Sequence, residues 1–185
     1  MKTALSEITW VAIDPGDSRF SPTHIEGLIK SMAESLGISL DWLATNPITE
    51  GENRYGFLLA SESDLTTLKS HVLEQLGSSI SEHEESVLAP LKDQSAGRFI
   101  AFPSSLEHFD IHTPTDLIAQ TAIEQVLAVG EPLPDDAVIA TSDFLRPVLY
   151  EKKITLLVER LHTGDFAPIE KANPHQCCGG AHAPH

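Results

Sequence analysis

The hydrophobic pattern of the chain changes near Pro132-Leu133-Pro134, and this change limits the folds that it can adopt. Before it, short β-rich runs are interspersed with stretches whose apolar residues recur at helical spacing. After it, four β-like runs follow one another. Helices mixed with strands and then consecutive strands favour an α+β domain over a doubly wound parallel sheet. We therefore predict one α+β domain at residues 1–172, with about three amphipathic helices packed on a mainly antiparallel sheet.

Three segments begin at a capping residue, carry apolar residues at helical spacing and end at or just before a glycine. The first starts at Ser21 and stops at Gly37, and the second starts near Ser61 and stops at Gly77. The third is predicted to run from Thr113 or Thr115 as far as Val129. Two weaker signals predict a helical turn at 39–44, ended by Asn46-Pro47, and a helix at 79–92 that Pro90 interrupts. Burial should be deepest at Ile29, Leu68, Leu117, Val126, Val148 and Leu157.

The strand signals are short runs rich in β-branched and aromatic residues, bounded by turn residues. Those after the proline pair have connections short enough for hairpins, so we predict a C-terminal β-meander. The predicted strands are 8–13, 55–60, 98–102, 137–141, 144–150, 154–161 and 166–169.

The formal net charge of −15 argues against binding to nucleic acid, because the chain repels phosphate and its largest basic cluster is Lys152-Lys153. No apolar run approaches the ~20 residues of a membrane-spanning helix, so no membrane association is expected. Between Phe99 and Leu145 there is no Lys or Arg, and eight acids lie between Glu107 and Asp143. This acidic stretch predicts, as one alternative function, a regulatory or interaction module with a basic protein partner.

The number and position of the cysteines predict that the protein works in a reducing compartment. The two cysteines, Cys177 and Cys178, are adjacent, so no disulfide can connect distant parts of the fold. The first residues include Glu7 where a signal peptide would have its apolar stretch. Cytoplasmic localisation is therefore the expectation.

The most specific functional pattern is the C-terminal tail at 173–185, NPHQCCGGAHAPH. Its cysteines and histidines follow an H-x-C-C-x3-H-x2-H spacing, and thiolate with imidazole is the donor set that Zn²⁺ prefers, while Cu⁺ favours the sulfurs. Gly179-Gly180 gives the backbone freedom to fold around an ion. We predict a Zn or Cu site in this tail. Its ligands would be His175, Cys177, Cys178, His182 and His185.

Thiol redox chemistry is a weaker interpretation of the tail, because adjacent cysteines close a strained ring when oxidised and exchange motifs separate them by two residues. An enzyme is another alternative, with a site near His108, Asp110 and His112. An extended strand would place these three side chains on one face, where they match the donors of a divalent-metal site, or it would simply expose a polar face to water.

Two further groups are polar clusters at strand ends. Ser142-Asp143 with Arg146 could line a pocket, as could the acids of Asp14-Pro15-Gly16-Asp17. Asp and Ser at such positions more often accept hydrogen bonds from nearby backbone N–H groups in turns.

Overall fold

The computed structural model describes residues 4–16, 19–48, 54–78, 84–103, 111–141 and 145–170. In these ranges the chain forms four α-helices and one ten-stranded, mostly antiparallel sheet. The α+β prediction is confirmed, with four helices rather than about three. The helices are α1 (Pro22–Ser35), α2 (Thr66–Leu76), α3 (Glu84–Lys92) and α4 (Pro114–Gln120). The strands are β1 (Val11–Ile13), β2 (Trp42–Ile48), β3 (Arg54–Ala60), β4 (Arg98–Ala101), β5 (Ile111–His112), β6 (Gln125–Ala128), β7 (Ile139–Ala140), β8 (Val148–Tyr150), β9 (Lys153–Arg160) and β10 (Phe166–Pro168).

The sheet order is β1-β3-β2-β4-β8-β9-β10-β7-β5, with β6 paired to β9. Strands β8, β9 and β10 form the expected antiparallel meander. Its first turn has Glu151 and Lys152 both at positive φ, as a two-residue hairpin of the favoured twist requires. Strand β7 departs from a simple meander, because it pairs with β10 in parallel. The long strand β9 is the hub of this half, since it pairs with β6, β8 and β10.

Helices cover both faces of the sheet formed by β1, β2 and β3. Alternate strand residues, among them Ile13, Leu43 and Phe57, pack with the apolar stripes of α1 and α2. Their neighbours, such as Ala44 and Leu58, face α3 and a larger cluster that continues into the C-terminal strands. Because both faces are buried, these strands are nearly continuously apolar rather than alternating.

Both predicted ends of α1 and the predicted C-terminal end of α2 are confirmed, whereas α2 starts at Thr66, later than the predicted cap near Ser61, with Leu65 at its N-cap and no side-chain cap. The Ser21 hydroxyl accepts a hydrogen bond from the His24 N–H at the start of α1, and Pro22 occupies its first turn. Gly77 ends α2 with a left-handed backbone conformation, at φ 67°. Helix α3 continues through Pro90 to Lys92 instead of breaking there.

The predicted helical turn at 39–44 is wrong. Residues from Trp42 onward belong to β2, which pairs with β3 along its whole length and with β4 at Leu43–Thr45. Sheet pairing on two edges outweighs the weak local helical signal. Pro47 is tolerated because it lies beyond the part of β2 that pairs on both edges.

The third predicted helix is correct only in its first half. Helix α4 ends at Gln120, where Thr121 turns to an extended conformation and its hydroxyl hydrogen-bonds to Leu117 O and the Ile123 N–H. The following residues form β6, parallel to β9. Glu124 and Gln125 anchor this strand through side-chain bonds to Ile154 N and Thr155 Oγ1.

Four of the six positions expected to be deepest in the core are buried. Ile29, Leu68 and Leu117 are at most 1% exposed, and Val126 is 7% exposed. Val148 and Leu157 are only half-buried, so the prediction is wrong for them. The reason is strand alternation, since their neighbours Leu149, Leu156 and Val158 face the core instead.

Glycine is required at position 56 because α3 approaches the backbone of β3 there. A Cβ built on Gly56 would lie 2.6 Å from Val87 Cγ2 and closer still to Cγ1. We expect Gly56→Ala to lower the free energy of unfolding by about 1–3 kcal/mol through overpacking. The measurement is denaturant-induced unfolding at equilibrium.

Gly27→Ala is the matched control, because Gly27 lies in α1 with no atom within 4 Å of an added Cβ. This change should raise stability by about 0.5–1 kcal/mol, as expected for replacing a helical glycine. Equal stability of the two variants would contradict the close approach of α3 at Gly56.

Candidate functional site

The predicted metal ligands His175, Cys177, Cys178, His182 and His185 lie outside the described residues. The described residue nearest to them in sequence is Glu170. The Glu170 carboxylate accepts hydrogen bonds from Arg98 Nε at 2.7 and 2.8 Å, and from Arg98 Nη2. Arg98 belongs to β4 and pairs with Val148 of β8. Residue 170 is therefore held beside β4, three residues before the tail begins.

Of the predicted group His108, Asp110 and His112, only His112 lies in a described range. It occupies β5, where it is 7% exposed while the adjacent Ile111 is 68% exposed. The polar side of this strand therefore faces inward at His112, which excludes a fully solvated polar face there. Burial lowers the pKa of His112 below its usual 6.5, and the nearby Asp116 carboxylate opposes this shift.

Asp116 is held near His112 by the start of α4. The Thr113 hydroxyl accepts from the Asp116 N–H at 3.2 Å, and the Asp116 carboxylate accepts from the Thr113 N–H at 3.2 Å, which together form a capping box; the Thr113 hydroxyl also donates to this carboxylate at 2.7 Å. These hydrogen bonds, the Thr113 N–H and the Coulombic effect of His112 lower the pKa of Asp116. Asp116 is therefore an anion throughout the neutral range, in a position set by the helix cap.

Arg146, predicted to act with Ser142 and Asp143, instead contacts a residue that the sequence analysis did not single out. Ser142 and Asp143 lie outside the described residues. Arg146 Nη2 lies 2.9 Å from both carboxylate oxygens of Glu26, and Lys30 Nζ lies 2.8 Å from Glu26 Oε1. The Glu26 and Arg146 side chains are only 9% and 13% exposed. A buried ion pair thus connects α1 to the segment before β8.

The turn after β1 satisfies its own backbone, as polar residues at strand ends commonly do. Asp14 is 2% exposed, and its carboxylate accepts a hydrogen bond from the Gly16 N–H at 2.9 Å. The Ser78 hydroxyl donates to Pro15 O at 2.8 Å. Asp14 therefore has a structural role in this turn, while Asp17 lies outside the described residues.

Several acids of the predicted acidic stretch also have structural partners. Asp116 caps α4, Glu124 Oε2 accepts from the Ile154 N–H, and Glu131 pairs with Arg160 at 2.7 Å. Asp135 and Asp136 lie in an exposed turn before β7. Binding of a basic partner to this stretch stays a prediction.

A groove between the N-terminal segment and α3 is a concave feature that the sequence does not reveal. Its volume is about 440 Å³, within the ~300–1,000 Å³ range of ligand pockets. A short 3₁₀ turn at Leu5–Glu7 and the following residues form one side, and α3 forms the other. The groove could not be predicted from the sequence, because its two sides are about eighty residues apart in the chain.

Within the described part of the chain, no three His, Cys, Asp or Glu side chains converge as metal ligands would. No helix there combines the length and apolar character needed to cross a bilayer. Comparisons with protein-family models, curated proteins and solved structures found no match.

The free energy of unfolding should depend on the largely buried Glu26–Arg146 ion pair. Glu26→Leu should destabilise the fold by about 1.5–3 kcal/mol, because it removes a carboxylate that accepts charge-assisted hydrogen bonds from both Arg146 and Lys30. Glu85→Gln is the control, since it removes an exposed ion pair with Lys92 and should change stability by at most ~1 kcal/mol. Denaturant unfolding measures both, and a small effect of Glu26→Leu would show that the pair is not buried as described.

The lowered pKa of His112 predicts a pH dependence of stability. Native His112 prefers the neutral form, so the unfolded chain takes up more protons as pH falls below about 6.5 and the native state loses stability there. His112→Gln should remove this part of the decline between pH 7.5 and pH 5. His71→Gln, at an exposed site on α2, should leave the decline unchanged. Parallel pH profiles for wild type and His112→Gln would contradict the prediction.

Proposed function

We propose that this protein binds a thiophilic transition-metal ion, Zn²⁺ or Cu⁺, through its C-terminal tail at 173–185. The observation that carries the proposal is the concentration of soft donors. Both cysteines of the chain and three of its nine histidines fall within the eleven residues from His175 to His185. Thiolate and imidazole together are the donors of tetrahedral zinc sites, and thiolates bind Cu⁺.

Cys177 and Cys178 are proposed as the primary ligands, because a thiolate contributes more to a soft ion than an imidazole does. Imidazoles from His175, His182 and His185 complete the coordination shell. Gly179-Gly180 separates the cysteines from the last two histidines and supplies the backbone freedom for a tight reversal. Four donors are enough for a closed zinc site, so the tail carries one more than it needs.

Ordering the tail opposes metal binding, at about 1–2 kcal/mol for each residue that becomes fixed. The ion pair between Arg98 and Glu170 supports the proposal here, since it fixes the chain close to the first ligand. A shorter segment must then be ordered when the ion binds. A further donor from the domain or from a partner molecule would reduce the cost again.

The cytoplasm fits this chemistry best. A reducing compartment keeps the adjacent thiols free for metal, whereas oxidation would join them in a strained disulfide. Metal handling also agrees with a chain of net charge −15, which attracts cations to its surface.

The test replaces both Cys177 and Cys178 by Ser. Reduced wild-type protein should take up Zn²⁺ in equilibrium dialysis followed by elemental analysis, and uptake should release protons and strengthen as pH rises. The double Ser variant should lose this uptake. Replacing His182 and His185 by Gln should weaken it less.

His162→Gln is the control, because His162 is exposed in the turn between β9 and β10 and belongs to no proposed ligand set. It should bind metal as the wild type does. Uptake by the wild type that does not exceed uptake by the double Ser variant refutes the proposal. Unfolding of the double Ser variant would instead make the cysteines part of the structural core.

A further inference from the structure

The groove between the N-terminal segment and α3 is lined by apolar side chains and by a few polar groups. The apolar wall consists of Leu5, Ile8 and Trp10 on one side and Leu88 of α3 on the other. The polar contributions are the hydroxyls of Ser6 and Thr9 and the ammonium group of Lys92. Among the described residues that line the groove, the charged one is Lys92, the last residue of α3.

Contacts with the hydrophobic core hold the aromatic side chain of the groove, Trp10, in place. The Trp10 ring packs edge-on against Trp42, with their centroids 5.9 Å apart, and the Trp10 indole N–H is 3.4 Å from Leu5 O. Trp42 in turn packs edge-on against the fully buried Phe99. The wall therefore rests on the central core, and a ligand would meet a surface that is already formed.

Lys92 can accept a new anionic partner with little loss. Its ammonium group lies 2.9 Å from Glu85 Oε1, but the two side chains are 54% and 74% exposed. An ion pair this exposed contributes little to stability, because water and salt screen it. A carboxylate in the groove can therefore replace Glu85 at Lys92.

These features select one class of ligand. A small inorganic anion would leave the apolar wall uncovered, and a wholly apolar molecule would make no ion pair with Lys92, whose exposed contact with Glu85 contributes little to stability. We propose that the groove binds a free amphipathic carboxylate, such as a medium-chain fatty acid. Its chain lies against Leu5, Ile8, Trp10 and Leu88, and its carboxylate pairs with Lys92. This site is independent of the metal proposal.

The experiment titrates the full-length protein with decanoate, below its micelle-forming concentration, by isothermal calorimetry and tryptophan fluorescence. Wild-type protein should bind one decanoate saturably and should bind neither acetate nor decylammonium with similar affinity. Lys92→Gln should weaken decanoate binding about tenfold or more, as expected for loss of a charge-assisted hydrogen bond. Lys92→Arg should restore most of the affinity.

Two further variants separate the groove from other sites. Ser6→Phe enlarges an exposed lining residue and should block binding while circular dichroism stays unchanged. Lys153→Gln removes an exposed lysine that does not line the groove and should have no effect. The proposal is overturned if decanoate shows no saturable binding, if Lys92→Gln binds it as tightly as wild type, or if the protein binds only anionic phospholipid vesicles.

Discussion

Helix α3 packs on one cross-strand pair of the sheet, Asn46 with Gly56, and this contact fixes its position on that face of the fold. Asn46 of β2 lies opposite Gly56 of β3, and Val87 of α3 contacts both. The missing side chain at Gly56 makes room for the Val87 methyl groups. The Asn46 side-chain amide donates to Val87 O at 3.0 Å, a hydrogen bond formed inside the core. A buried amide is costly without partners, so this bond also specifies where along β2 the helix sits. The same region of β2 and β3 packs against α1 and α2 on its other face.

Ion pairs connect parts of the chain that are distant in sequence, and they use a large share of its few cations. Six of the twelve Lys and Arg residues form salt bridges within the described ranges. Arg146 connects the C-terminal half to α1 through Glu26, and Arg98 connects β4 to Glu170. The side chains of the first pair are only 13% and 9% exposed, while those of the second are 39% and 35% exposed, so solvent screens the second pair more strongly. These six cations are paired with carboxylates, and the chain as a whole keeps a net charge of −15.

The two proposed binding functions rest on different levels of structure, the first on local sequence and the second on tertiary packing. The metal proposal rests on donor chemistry and spacing, which are local properties of residues 175–185 and can be read from the sequence. The carboxylate proposal rests on a groove whose walls come from Leu5–Trp10 and from α3, which only the fold brings together. Lys92 shows the difference clearly. In the sequence it is an ordinary lysine at a helix end, and in the fold it is the charged group of an otherwise apolar groove. Neither site uses His112, whose burial in β5 gives it a separate effect on stability.

The sequence by itself determined the elements whose signals are local: the capped helix α1, the glycine-ended helix α2, strand β3, and the tight turn of the β8–β9 hairpin. Caps, glycines and hydrophobic period act within a few residues, so no distant contact is needed to read them. Only the tertiary structure decided that Trp42–Ile48 is a strand and that the apolar residues after Gln120 pair with β9 rather than extend α4. Apolar residues there fit a helix or a strand almost equally, and the sheet supplies backbone hydrogen bonds that settle the choice. The Glu26–Arg146 pair and the groove are likewise tertiary, because a contact across 120 residues leaves no periodic trace in the sequence.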